Sequence, residues 1–99
     1  MSAQVGRHVI AHGRVQGVGY RAFVEEEAKK RGLHGWVRNR RDGTVEALFV
    51  GAASDVGSMI AACRRGPRSA HVLRVDERAG SDADLALCTD APFAVLPTP

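Results

Sequence analysis

Gly13-Arg14-Val15-Gln16-Gly17-Val18-Gly19-Tyr20-Arg21 is the stretch around which the chain is organised. Three glycines within residues 13 to 19 mark a loop. Before it, Arg7 to Val15 carries Val9, Ile10 and Val15 and reads as a strand. After it, Tyr20, Phe23, Val24 and Ala28 fall on one face of a helix that begins near Tyr20. Glu25 with Lys29 and Glu26 with Lys30 are i,i+4 pairs on its exposed side, and Gly32 is placed to end it.

The remaining elements follow outward from this unit. Leu33–Asn39 and Thr44–Val50 form a predicted hairpin with Asp42-Gly43 in the turn. Val45, Ala47 and Phe49 alternate onto one face of its second strand. A second helix is expected from Ser54 or Asp55, both good N-caps. Val56, Met59, Ile60 and Cys63 give it an apolar face, Arg64 and Arg65 suit its C-terminal dipole, and Gly66-Pro67 stops it. Ala70–Asp76 reads as a strand, 80–91 as a polar loop, and Phe93–Leu96 as a short last strand. The order β-α-β-β-α-β predicts an α+β, ferredoxin-like sandwich: a four-stranded antiparallel sheet with two helices on one face, plus a short C-terminal strand.

Composition narrows the function classes. Ninety-nine residues suit one thin-cored domain, taken as 1–99 with a core of about 5–97. The longest apolar stretch, Ala47–Ala53, falls far short of the ~20 residues that span a bilayer. No signal-like apolar run opens the chain, so a cytoplasmic protein is expected. Two cysteines, Cys63 and Cys88, make neither a disulfide framework nor a zinc site. Residues 1–50 hold nine Lys/Arg against five Asp/Glu, while 51–99 hold five against six. That excess suits a small anion more than it demands nucleic acid.

The glycine loop and helix start offer a place for that anion. Loop glycines let backbone N–H groups turn toward a ligand, and the first N–H groups of a helix lack intrahelical partners. Together they make an anion cradle. Arg21 sits in the first helical turn, where a cation is locally unfavourable. Helical side chains lean toward the N-terminus, so the guanidinium reaches the cradle and can grip a phosphoryl group bidentately. A tight turn beside a solvated arginine is the competing reading. Gly17-Val18-Gly19-Tyr20-Arg21-Ala22 also matches a dinucleotide-binding pattern, but the chain is too short for a doubly wound domain and a hairpin follows where a crossover is needed.

Asn39 ends the first hairpin strand. It reads either as a turn former or as an amide that holds a water or an oxyanion. Arg38, Arg40 and Arg41 read as hairpin surface, Trp36 as core, and Asp42 and Glu46 as turn and exposed strand. His8, His12, His34 and His71 show no metal-ligand spacing, although His12 lies close to the loop.

The first stretch and Gly35-Trp36-Val37-Arg38-Asn39, with Gly43, Val45 and Gly51, together resemble the two signatures of the acylphosphatase family. Tyr20 departs from the usual phenylalanine, and its hydroxyl needs a partner. The resemblance implies that Arg21 and the backbone N–H groups of Gln16, Gly17, Val18, Gly19, Tyr20 and Arg21 bind a substrate phosphate. It implies that Asn39 positions the attacking water. It further implies hydrolysis of a small-molecule acyl phosphate without metal or other cofactor. No nucleic acid or membrane partner is expected, and a monomer suffices. The alternative is a non-catalytic phosphate- or RNA-binding module of the same fold.

Overall fold

In the computed structural model, which describes residues 3–99, the order is β1 (Gln4–Arg14), α1 (Tyr20–Lys30), β2 (His34–Asn39), β3 (Val45–Ala52), α2 (Ala53–Arg65), β4 (His71–Ala79), α3 (Asp82–Ala86) and β5 (Phe93–Val95). Residues 1 and 2 of the expected domain lie outside the described range. The sheet has five strands, in the order β4-β1-β3-β2-β5. The first four strands pair antiparallel. The expected terminal strand joins the same sheet, parallel to β2, with Gly35 opposite Phe93 and Val37 opposite Val95. Phe93 is held there by stacking on Phe49, with ring centroids 5.9 Å apart.

Strand alternation divides the sheet into two faces. Val9, Ala11, Val37, Val45, Ala47 and Phe49 point to one side and form the core with Val24 and Ala28 of α1 and Val56, Met59, Ile60 and Cys63 of α2. The predicted helical faces are the buried ones, with Phe23 of α1 only partly buried. α2 starts at Ala53, ahead of the expected caps. Its first N–H donates to Ala3 O at 3.0 Å, so the backbone of the chain's start replaces a side-chain cap.

The opposite face differs from the expected exposed surface. The 80–91 segment contains α3, begun by a Ser81–Asp84 capping box, and lies across the sheet as a strap. Gly80 N–H donates to Gly6 O at 2.8 Å, and Trp36 Nε1 donates to Asp84 O at 2.9 Å. Beneath the strap, Trp36 and Leu48 are fully buried. Glu46 is buried too, not exposed: it accepts from Arg38 Nε at 2.7 Å and faces His8 Nε2 at 2.6 Å. Arg38 stacks over the Trp36 ring, 4.9 Å from its centroid. These bonds offset the cost of burying a carboxylate, and the same two partners hold the Glu46 carboxyl below its usual range against desolvation. No helix among the described residues is long and apolar enough to cross a membrane.

Candidate active site

Between β1 and α1 the chain turns through Gly17 (φ 74°) and Gly19 (φ 79°). Both lie in the left-handed region, which L-residues enter only at a cost of about 1–2 kcal/mol. Neither glycine has a neighbour that a Cβ would strike, so conformation alone requires them. Gly19 is the N-cap of α1, no side chain caps that end, and its first turn holds no acid. The leading N–H groups of α1 are therefore left for an outside acceptor.

Three ties hold the loop. Gln16 Nε2 donates to Arg40 O at 2.7 Å and to Thr44 O at 2.8 Å, across the mouth of the β2–β3 hairpin. Ser69 Oγ donates to Val18 O at 2.6 Å. Tyr20 Oη donates to Cys63 O at 2.8 Å, near the end of α2. That last bond is the partner the unusual hydroxyl required. Burial of the ring, chiefly, pushes the phenol pKa far up, so it stays a donor.

The result is a cleft of about 370 Å³ lined by Val15, Gly17, Gly19, Tyr20, Arg21, Ala22, Glu25, Asn39 and Val95. Arg21 and Asn39, 18 positions apart in the sequence, line the same cleft. Among the described residues Arg21 joins no salt bridge. Glu25, one turn on, is occupied by Lys29 at 3.1 Å. Asn39 Oδ1 is the one buried side-chain oxygen or nitrogen among the described residues with no hydrogen-bond partner. A buried acceptor and a guanidinium that line one cleft without partners of their own are groups a polar ligand can satisfy.

The other singled-out residues lie elsewhere. Arg38 is neutralised by Glu46, and Arg41 Nε donates to Pro99 O at 2.9 Å. Asp42 accepts from the Thr44 hydroxyl at 2.6 Å and the Thr44 N–H at 3.0 Å, closing the turn. Those two bonds, hydroxyl first, hold its carboxyl below the usual range. His12 faces Asp76 at 2.8 Å, away from the cleft lining. Cys63 is buried in the core and Cys88 is exposed. Among the described residues no three His, Cys, Asp or Glu side chains converge as a metal site needs. Val95 and the braces from Gln16 and Ser69 were not anticipated.

The sequence profile of the family described as Acylphosphatase matches residues 7–85. The chain belongs to the acylphosphatase family. It is 59% identical over 93 residues to an acylphosphatase of Rhodopseudomonas palustris (strain BisB18), covering 93% of this chain and 94% of that protein. The solved acylphosphatase of Bacillus subtilis superposes with a TM-score of 0.76 at 36% identity, covering 93% of this chain and 98% of the other. That of Coxiella burnetii gives 0.81 at 29% identity, over 94% and 93%. Acylphosphatase-like architecture thus accounts for the ferredoxin-like α+β sandwich described above.

Proposed function

We propose that this protein hydrolyses the carboxyl–phosphate anhydride bond of small-molecule acyl phosphates, releasing a carboxylate and inorganic phosphate. One observation carries the reading: the uncapped start of α1, the unpaired Arg21 and the unpartnered Asn39 Oδ1 border a single cleft. In this reading the substrate phosphate sits against the backbone N–H groups of Gln16 to Arg21. The Arg21 guanidinium takes two of its oxygens in a fork. Asn39 orients the attacking water, its Oδ1 accepting one water hydrogen.

The chemistry closes with these parts. The water oxygen forms a bond to phosphorus while the bond from phosphorus to the carboxyl oxygen breaks. The leaving group is a carboxylate whose conjugate acid has a pKa of about 4, so it departs without a proton. The water's proton passes to a phosphate oxygen of the substrate. Phosphoryl transfer asks mainly for positioning and charge stabilisation, and an arginine on the transferring group is worth about 10³–10⁵ in rate. A phosphate monoester, with its poor alkoxide leaving group, would also want an acid or a metal.

The competing module that binds RNA through the sheet face finds little support. The strand aromatics Trp36, Phe49 and Phe93 are all buried, and the strap crosses the face that carries Trp36. Base stacking needs an exposed ring. We read the protein as a cytoplasmic monomer with no nucleic-acid partner.

Steady-state hydrolysis of an acyl phosphate against a phosphate monoester, with and without EDTA, tests this. The expected result is turnover of the acyl phosphate alone, unchanged by EDTA. Arg21→Ala should abolish it, and Arg21→Lys should lower kcat/KM by about 10³ or more, because a point charge cannot reproduce the fork. Inhibition by EDTA, or wild-type turnover by Arg21→Lys, would overturn the assignment.

A further inference from the structure

Of the three ties on the loop, the one from Gln16 has an unusual geometry. Its side-chain amide has two N–H donors. Both hydrogens go to main-chain carbonyls on opposite sides of one hairpin turn, Arg40 O and Thr44 O. Each carbonyl already accepts a backbone N–H. Gly43 N donates to Arg40 O at 3.2 Å, and Arg40 N donates to Thr44 O at 2.9 Å. Gln16 therefore takes the second lone pair of each. The carbonyls belong to the residues that flank the hairpin turn, and Asn39 lies immediately before Arg40. Within that hairpin, Asn39 pairs with Val45.

We propose that the Gln16 side chain is a positioning residue: it locks the register between the phosphate loop and the hairpin, and so fixes Asn39 relative to the bound phosphate. The role rests on the reading of the cleft as an acyl phosphate site. Gln16 has two separate duties in that reading. Its main-chain N–H belongs to the cradle and survives any substitution except proline. Its amide acts on Asn39 through the hairpin and touches no substrate. Among the described residues Asn39 Oδ1 makes no hydrogen bond, so no bond to that oxygen sets its place. Its position depends on its backbone, and Gln16 braces the turn beside it.

A double-mutant cycle separates this role from general stability. The variants are Gln16→Met, Asn39→Ala and the pair, each confirmed folded by circular dichroism. The readouts are kcat on an acyl phosphate and the inhibition constant of inorganic phosphate. Methionine keeps the length and removes both donors. Gln16→Met should lower kcat by about 10- to 100-fold, the scale of a misplacement near 1 Å. Phosphate inhibition should stay within about threefold, since loop and Arg21 are intact. In the Asn39→Ala background the same substitution should change kcat less than about twofold, because there is no longer an amide to position. Fully additive losses, unchanged kcat in Gln16→Met, or parallel loss of phosphate binding would each overturn the proposal.

Gln16→Glu gives a second readout. Its carboxylate faces two carbonyl oxygens at neutral pH, and only its protonated form can donate to one. Its kcat relative to wild type should rise as the pH is lowered, and a flat ratio counts against the clamp. A wild-type protein inactive on acyl phosphates would instead refute the parent reading, which the first assay reveals before any variant is made.

Discussion

Tyr20→Phe isolates a single bond with a calculable effect. The Tyr20 ring is 1% exposed and its hydroxyl donates to Cys63 O at 2.8 Å. In a continuing helix that carbonyl would accept the N–H of the residue four positions on. Here that residue is Pro67, which has none. The tyrosine therefore caps the end of α2, while its own backbone opens α1. Removing the hydroxyl loses a bond whose net worth is about 0.5–1.5 kcal/mol, rising to about 1–3 kcal/mol where the carbonyl is left with no partner at all. The ring stays, so apolar burial is unchanged. A net loss of about 1–2 kcal/mol follows, or roughly 5–15 °C in Tm for a domain of this size.

Urea unfolding at pH 7 measures this effect. The midpoint should fall with no change in m, since the same surface is exposed on unfolding. Burial raises the folded phenol pKa above its unfolded value near 10. The stabilisation is then fully present below about pH 10 and is lost only as the pH rises past it, so the deficit should be constant from pH 5 to 9. Turnover should remain close to wild type, because in the proposed reading only the main chain of Tyr20 meets the phosphate. Unchanged or greater stability in Tyr20→Phe would refute the capping role and show that desolvating the hydroxyl cancels the bond.

Other outcomes are equally specific. Asn39→Ala should lower kcat by about 10²–10³-fold, the usual effect of losing one polar group that acts on the transition state, while the phosphate inhibition constant stays within about threefold. Asp84 grips Arg78 at 2.7 Å and the Ser81 N–H at 2.8 Å, and the arginine, first, drives its carboxyl far below the usual range. Asp84→Ala should cost about 2 kcal/mol at pH 7, as loss of charge-assisted bonds does. Because the folded carboxyl is the stronger acid, that deficit is full above about pH 4 and narrows as the pH falls below it. Equal deficits at pH 7 and pH 2 by urea titration would contradict the pairing. Gly19→Ala puts a Cβ on a φ of 79° with no clash, so it should cost about 1–2 kcal/mol of backbone strain without closing the cleft. Denaturant titration beside phosphate inhibition checks both halves.

Much of this molecule is legible in short-range patterns. Val45, Ala47 and Phe49 declare a half-buried strand, and Val56, Met59, Ile60 and Cys63 a helix face. Gly17, Gly19 and Arg21 mark a candidate anion site because local rules are broken together there. The features that stayed hidden depend on distant main-chain atoms. Gln16 donates to carbonyls 24 and 28 residues away, and a carbonyl has no letter in a sequence. Glu46 reads as an exposed strand residue because its burial depends on His8 and Arg38, partners 38 and 8 residues away. Ser81-x-x-Asp84 did carry a capping-box signal that marks α3, within a stretch whose polarity suggested only a loop. The parallel seat of β5 follows from Phe93 meeting Phe49, a match no periodicity announces.

Val95, in the last strand, has a kinetic consequence. The cleft takes one wall from Val15 and another from Val95, eighty positions later. β5 docks on β2, not on a sequence neighbour, and such distant closures are slow to form. A growing chain therefore has no complete pocket until β5 has been synthesised. Regained turnover during refolding reports the arrival of the final strand, not the earlier collapse of the core.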